Sequence, residues 1–218
     1  MIGPSESVRS KNHLIFLVIL LLLLCGCDKP TLTGVESDKI DTSQDPIQKP
    51  INSPEPMIIE FKNSHFTVTP IAEYKLSGMV VGKKTYSDDW EGKISPLDLA
   101  IAWGQLAEPE YSQYITYSQR NRWYFYHYKP GRPFDHSYVI PHSSNNHIIP
   151  GNKNIALAVK TIQGKNTIAI EGLLVNLMGT YKGQTVTWNT SLSRTDTGNG
   201  SCELFYVTKV RIHTKVYE

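Results

Sequence analysis

Apolar and polar positions divide this chain into three regimes. Leu14 to Leu24 is an unbroken apolar run. Asp28 to Pro56 has no sustained period and no aromatic residue, and it is rich in Pro, Ser, Thr and Asp. Such a stretch cannot by itself bury enough surface to offset its ordering entropy, so a disordered tether is expected over 27–56. From Met57 onward, short apolar, aromatic or alternating stretches predict strands. These are Met57 to Phe61, Tyr74 to Val81, Arg122 to Tyr128, Tyr138 to Ile140, Ile155 to Ile162, Thr167 to Val175, Val186 to Ser193 and Cys202 to His213. Gly78 inside the second of these suggests a bulge or a close backbone approach. Gln163-Gly164-Lys165-Asn166 reads as a hairpin turn, and a longer turn precedes Cys202. One helix is expected from Ser95-Pro96-Leu97-Asp98, which has a capping serine, proline at the first helical position and an acid at the third. It would end near Leu106. The pattern predicts a single mainly-β domain over 57–218, an antiparallel barrel or sandwich with one short helix, after a disordered tether.

Charge and cysteines add an address. Arg9 and Lys11 precede the apolar run, which is about half the roughly 20 residues that span a bilayer. A basic stretch, a short apolar run and a small residue describe an export signal. The run ends in Leu24-Cys25-Gly26-Cys27. This resembles the lipobox of bacterial lipoprotein precursors, although Cys25 stands where that family usually has a smaller residue. The resemblance implies that 1–26 is a removed signal peptide and that Cys27 is the lipidated N-terminus. The partner through that lipid is then the membrane, with the body in the periplasm. Asp28 resembles the signal that retains a lipoprotein in the inner membrane. The region 28–56 has six acids and three lysines, whereas 57–218 has 17 Lys/Arg and 13 Asp/Glu. So mild a basic excess, on an exported chain, argues against nucleic acid as a partner. With Cys25 removed and Cys27 acylated, Cys202 is the one thiol left, and burial is its expected fate.

Candidate chemistry lies in two polar segments. Pro141 to His147 carries His142, Asn146 and His147, with His136 upstream. Neutral imidazoles can hold zinc, but this spacing lacks the regularity of a ligand set, so hydrogen-bonded histidines and no resident metal or other cofactor are expected. Arg194 to Glu203 is dense in functional groups. Asp196-Thr197-Gly198 looks like the aspartic-protease triplet but lacks the two apolar residues before the acid and a second copy. Arg194, Asp196, Asn146 and Glu203 are the binding candidates, able to meet an anion or carboxylate. Cys202 with His142 or His147 could form a nucleophile and base. The aromatic stretch from Trp123 to Tyr128 presents two aromatic faces, one expected in the core and one able to stack on sugar rings. Over roughly Tyr74 to Val207 the body resembles only uncharacterised bacterial envelope proteins, on segments such as Ile94 to Ala100, and this implies no activity. The reading that results is a membrane-anchored envelope lipoprotein that binds a protein partner or peptidoglycan. The alternative is a cell-envelope hydrolase or transpeptidase using Cys202 with a histidine, or a histidine-bound metal.

Overall fold

A computed structural model describes residues 28–61 and 64–218. The fold is mainly β, in one large mixed sheet with a few short helices and a separate two-stranded hairpin. The strands are β1 (Gly34–Val35), β2 (Ile47–Pro50), β3 (Met57–Phe61), β4 (Ser64–Thr85), β5 (Leu97–Ala102), β6 (Ile115–Arg120), β7 (Trp123–Tyr128), β8 (Ser143–Pro150), β9 (Thr167–Tyr181), β10 (Gln184–Trp188), β11 (Glu203–Ile212) and β12 (Lys215–Tyr217). The helices are α1 (Trp90–Ile94), α2 (Pro109–Ser112), α3 (His136–Val139) and α4 (Lys153–Thr161).

Five strands close into a ring. β4 pairs β5, β5 pairs β8, β8 pairs β11, β11 pairs β9, and β9 returns to β4. Only β8 and β11 run parallel. In chain order the barrel strands therefore sit 1-2-3-5-4-1, with α4 between the third and fourth. This is the connectivity of an OB-fold, a five-stranded Greek-key barrel. The 22-residue β4 makes closure possible because it pairs both of its neighbours in the ring, β9 and β5. Its middle follows β9, and its end turns onto β5 across a register shift between Val80 and Gly82. A Cβ on Gly78 would stand 2.6 Å from the Ala102 carbonyl oxygen, so the crossing requires glycine there. Tyr74, Leu76, Leu99, Ile101, Ile148, Ile170, Phe205 and Val207 fill the interior. Each such aliphatic or aromatic side chain contributes roughly 1.5–3 kcal/mol by leaving water. α4 closes one end with Ile155, Ala158 and Val159, and the Asn152 side chain caps it by accepting from the Ile155 N–H at 2.9 Å.

Four expectations are corrected. The segment from Leu97 to Ala102 is a strand, not a helix, and all six residues are buried because neighbours cover both edges and both faces. The helix before it, α1, is capped by Asp89, and Ser95 follows its C-terminus. Ile155 to Ile162, expected as a strand, is mostly α4. Ile155, Ala158, Val159 and Ile162 are its buried positions, at helical spacing. Residues 163–166 therefore join a helix to β9, not two strands. Tyr138 to Ile140 is helical as well.

The fourth correction concerns the expected tether. Residues 28–50 lie against the barrel: β1 pairs β12 and β2 pairs β4. Ile40 is buried, and the Arg211 guanidinium donates to the Glu36 carboxylate at 2.7 Å and to the Asp38 carbonyl. The segment cannot form a core alone, but the sheet supplies one to it. Composition registers only what a segment could bury by itself.

Candidate functional site

The outer face of β5 and β8 carries the first cluster. Alternation sends Leu97, Leu99 and Ile101 inward and leaves Asp98 and Ala100 outward. Across the pair, His147 lies opposite Asp98 and Asn145 opposite Ala100. The β6–β7 hairpin, inserted between the second and third barrel strands, folds over this face. Its two-residue turn places Asn121 and Arg122 at φ 52 and 68, the twist that tight hairpins need and that arginine rarely adopts. Arg122 then reaches down to Asp98. Its Nη1 donates to Asp98 Oδ1 at 2.8 Å and to the Ser95 carbonyl at 2.9 Å. The guanidinium stacks over Tyr86 at 3.8 Å and near Trp188 at 5.4 Å, with Glu91 at 3.7 Å from Nε. His147 Nδ1 also meets Asp98 Oδ1, at 2.9 Å, and its ring packs 4.8 Å from Trp188. A carboxylate can only accept, so that nitrogen carries the proton and donates it. Burial pushes the Glu91 carboxyl up, opposed by Arg122.

The second cluster sits at the mouth of the barrel. Glu203 starts β11, faces inward, and is in register with Asn146 of β8. It is buried among Ser144, Asn146 and Tyr74, where the interior turns polar. Burial pushes its carboxyl up to about 8, against hydrogen bonds from its own backbone and Ser144. Its Oε2 has no partner among the described residues. The connection from β10 to β11, residues 189–202, arches over the mouth. Ser191 Oγ donates to Asp196 Oδ2 at 2.7 Å, and Gly198 and Gly200 turn the chain at φ 91 and 84. Arg194 Nη2 donates to the Pro46 carbonyl at 2.7 Å while Nη1 stays unpartnered. A cavity of about 160 Å³ opens here between Arg194, Asp196, Cys202 and Glu203 on one side and Trp123, Tyr124 and Tyr126 on the other. An adjoining cleft of about 270 Å³ reaches Arg122, His147 and Trp188. Trp123, Gly198 and Cys202 border both.

The structure thus brings the two polar segments together through the parallel β8–β11 pair. Arg194, Asp196 and Glu203 share one cavity, whereas Asn146 lies behind it, with its Nδ2 donating to the Leu99 carbonyl at 3.3 Å. Cys202 Sγ lies 3.8 Å from Asn145 Nδ2 and 3.9 Å from the Arg122 carbonyl, and burial pushes its thiol up to about 12. Activation of a thiol requires the opposite shift. The three histidines go to separate partners: His136 to the Tyr128 hydroxyl, His142 to the Tyr138 carbonyl and ring, His147 to Asp98. Among the described residues no group of three or more His, Cys, Asp or Glu is placed to hold a metal ion. Cys27 and the expected signal peptide fall outside the described residues.

Asp98, Arg122, Glu91 and Trp188 escaped the reading of the sequence. One signal was there: an acid in the otherwise apolar Leu97-Asp98-Leu99-Ala100-Ile101-Ala102 is costly to bury and needs a partner. No protein-family model, curated protein or solved structure matches the chain.

Proposed function

We propose that this protein is a membrane-anchored lipoprotein of the bacterial cell envelope, and that its barrel is a binding module for peptidoglycan. The cavity at the barrel mouth carries the reading. It joins aromatic walls to polar side chains with atoms that lack partners among the described residues, which is the composition of a ligand site. Its position agrees, since OB-folds take ligands across the second and third strands and the adjoining loops. Here the hairpin roofs most of that face and leaves the end beside residues 189–202 open. Trp123, about one-third exposed, offers a ring to stack on.

Co-sedimentation of the full chain, in detergent micelles, with purified sacculi tests this. Saturable binding weakened roughly tenfold by Trp123→Ala is expected, a loss of about 1.4 kcal/mol. Sedimentation indifferent to sacculi would eliminate the reading and leave an envelope protein as the partner. The anchor is tested separately: Cys27→Ser should abolish incorporation of labelled palmitate, and retained label would move the lipid elsewhere.

One observation favours a second reading, a wall hydrolase. Asp98 holds His147 by Nδ1, which leaves Nε2 free as a general base. Release of wall fragments that survives Cys202→Ser but not His147→Gln would support it.

A further inference from the structure

We infer that the cavity at the barrel mouth recognises an amide carbonyl, that of the acetamido group on an N-acetylated hexosamine, with Arg194 Nη1 and Glu203 Oε2 as the paired donors. This rests on the peptidoglycan reading and narrows it to one group of atoms.

Arg194 Nη1 and Glu203 Oε2 are both hidden from solvent and both without a partner. Buried polar atoms in that state cost stability and are uncommon, and these two belong to residues that line the same cavity. Arg194 can only donate. Glu203 sits in an environment that favours its neutral carboxylic acid, which donates through its proton. Two donor side chains that border one cavity suit one acceptor with two lone pairs, and a carbonyl oxygen fits. A carboxylate would bring a charge into a mouth that already holds Asp196, whereas an amide is neutral. Asp196 also offers an acceptor to the amide N–H.

Size and shape agree. A cavity of about 160 Å³ is enough for an acetamido group. The sugar ring would lie toward the opening, which the partly exposed Trp123 borders.

Charge predicts a pH signature. The groups facing Glu203 are Arg194 and Asp196 from the 189–202 connection, Cys202 beside it, Tyr74 from β4 and Tyr124 from β7. Glu203 is pushed up to about 8, while burial holds the Tyr74 and Tyr124 phenols and the Cys202 thiol well above that. Once ionised, Glu203 turns from donor to acceptor and repels the carbonyl.

The probes are tri-N-acetylchitotriose and cellotriose, which share β-1,4 linkages and differ in acetamido against hydroxyl groups. Binding to the full chain in detergent is followed by tryptophan emission and calorimetry. The acetylated trimer should bind at least tenfold tighter than cellotriose at pH 7 and lose most of that margin by pH 9. Glu203→Gln, which keeps a donor and the shape, should retain the margin and flatten the pH profile. Arg194→Ala, in a surface connection, should remove the margin at every pH while leaving Tm within a few degrees, and it serves if the Glu203 variant fails to fold. Equal affinity for the two trimers, or an unchanged margin in Arg194→Ala, would overturn the inference. Sacculi that still sediment with the protein in those cases would leave the peptidoglycan reading intact, whereas loss of both would end it.

Discussion

Two buried acids, Asp98 and Glu203, begin neighbouring stories with opposite outcomes. Both are almost fully shielded, and each keeps one carboxylate oxygen without a partner. Asp98 has Arg122 and His147 donating to its other oxygen, with two aromatic rings holding the guanidinium in place. Glu203 has no cation bonded to it; the nearby Arg194 is directed to the Pro46 carbonyl. The first acid ties a hairpin to a sheet. The second stays in a neutral-favouring pocket and faces a cavity. Burial alone therefore says little about a carboxyl group; what it is given to hold decides whether it is structural or available.

The largest effect that would break this contrast comes from Arg122. Arg122→Ala leaves the Asp98 carboxylate buried without its cation, and a loss of about 3–5 kcal/mol is expected by chemical denaturation. A loss below 1 kcal/mol would mean that Asp98 is not held by Arg122. Glu203 should act in the other direction. Its folded pKa, near 8, lies above the ordinary carboxyl value, so the folded state binds more protons than the unfolded one. Stability should then fall as pH rises from about 4.5 to about 8 and level off above it, and Glu203→Gln should gain on the order of 3 kcal/mol over wild type at pH 8. A pH profile identical in the two proteins would remove the contrast. Next in size is Ile40→Ala, which tests whether residues 28–50 belong to the fold; about 2 kcal/mol should be lost, against nothing for a free tether. Smallest is Cys202→Ser, within about 1 kcal/mol. At neutral pH, iodoacetamide should label native Cys202 far more slowly than a free thiol, and fast labelling would contradict the burial that sets its pKa.

The strands that alternate cleanly were legible: Tyr74 to Val81, the aromatic run at Trp123, Thr167 to Val175 and the final strand all lie in the sheet or hairpin. What misled was competition between local signals. Ser95-Pro96-Leu97-Asp98 carries a helix-start pattern, while Leu97, Leu99 and Ile101 carry a strand pattern, and pairing on both edges decided for the strand. α4 is rich in β-branched residues, yet Asn152 and the gap between strands made it helical. In the site, Arg194, Asp196 and Glu203 stood out by density of functional groups. Asp98 did not, because Ser95-Pro96 before it signals a helix start, and Arg122 reads as the flank of an aromatic stretch. That the two polar segments meet depends on β8 running parallel to β11, a pairing across more than fifty residues that no local pattern encodes.

The docking of the chain's early residues has a geometric consequence. Asp28 is bonded to Lys153 at 2.7 Å, and Thr31 exchanges two hydrogen bonds with Asn154, both at the start of α4. Cys27 is the next residue back. A lipid on Cys27 would thus be attached at the α4 pole with almost no slack, and the barrel would stand on the bilayer rather than swing from it. The cavity lies at the other end of β8, near Ser144, while α4 follows Pro150. Six residues of strand at about 3.3 Å each separate the two, roughly 20 Å. On the proposed anchoring through Cys27, the cavity would be held at a fixed height facing away from the membrane, and its working distance would be set by the barrel itself.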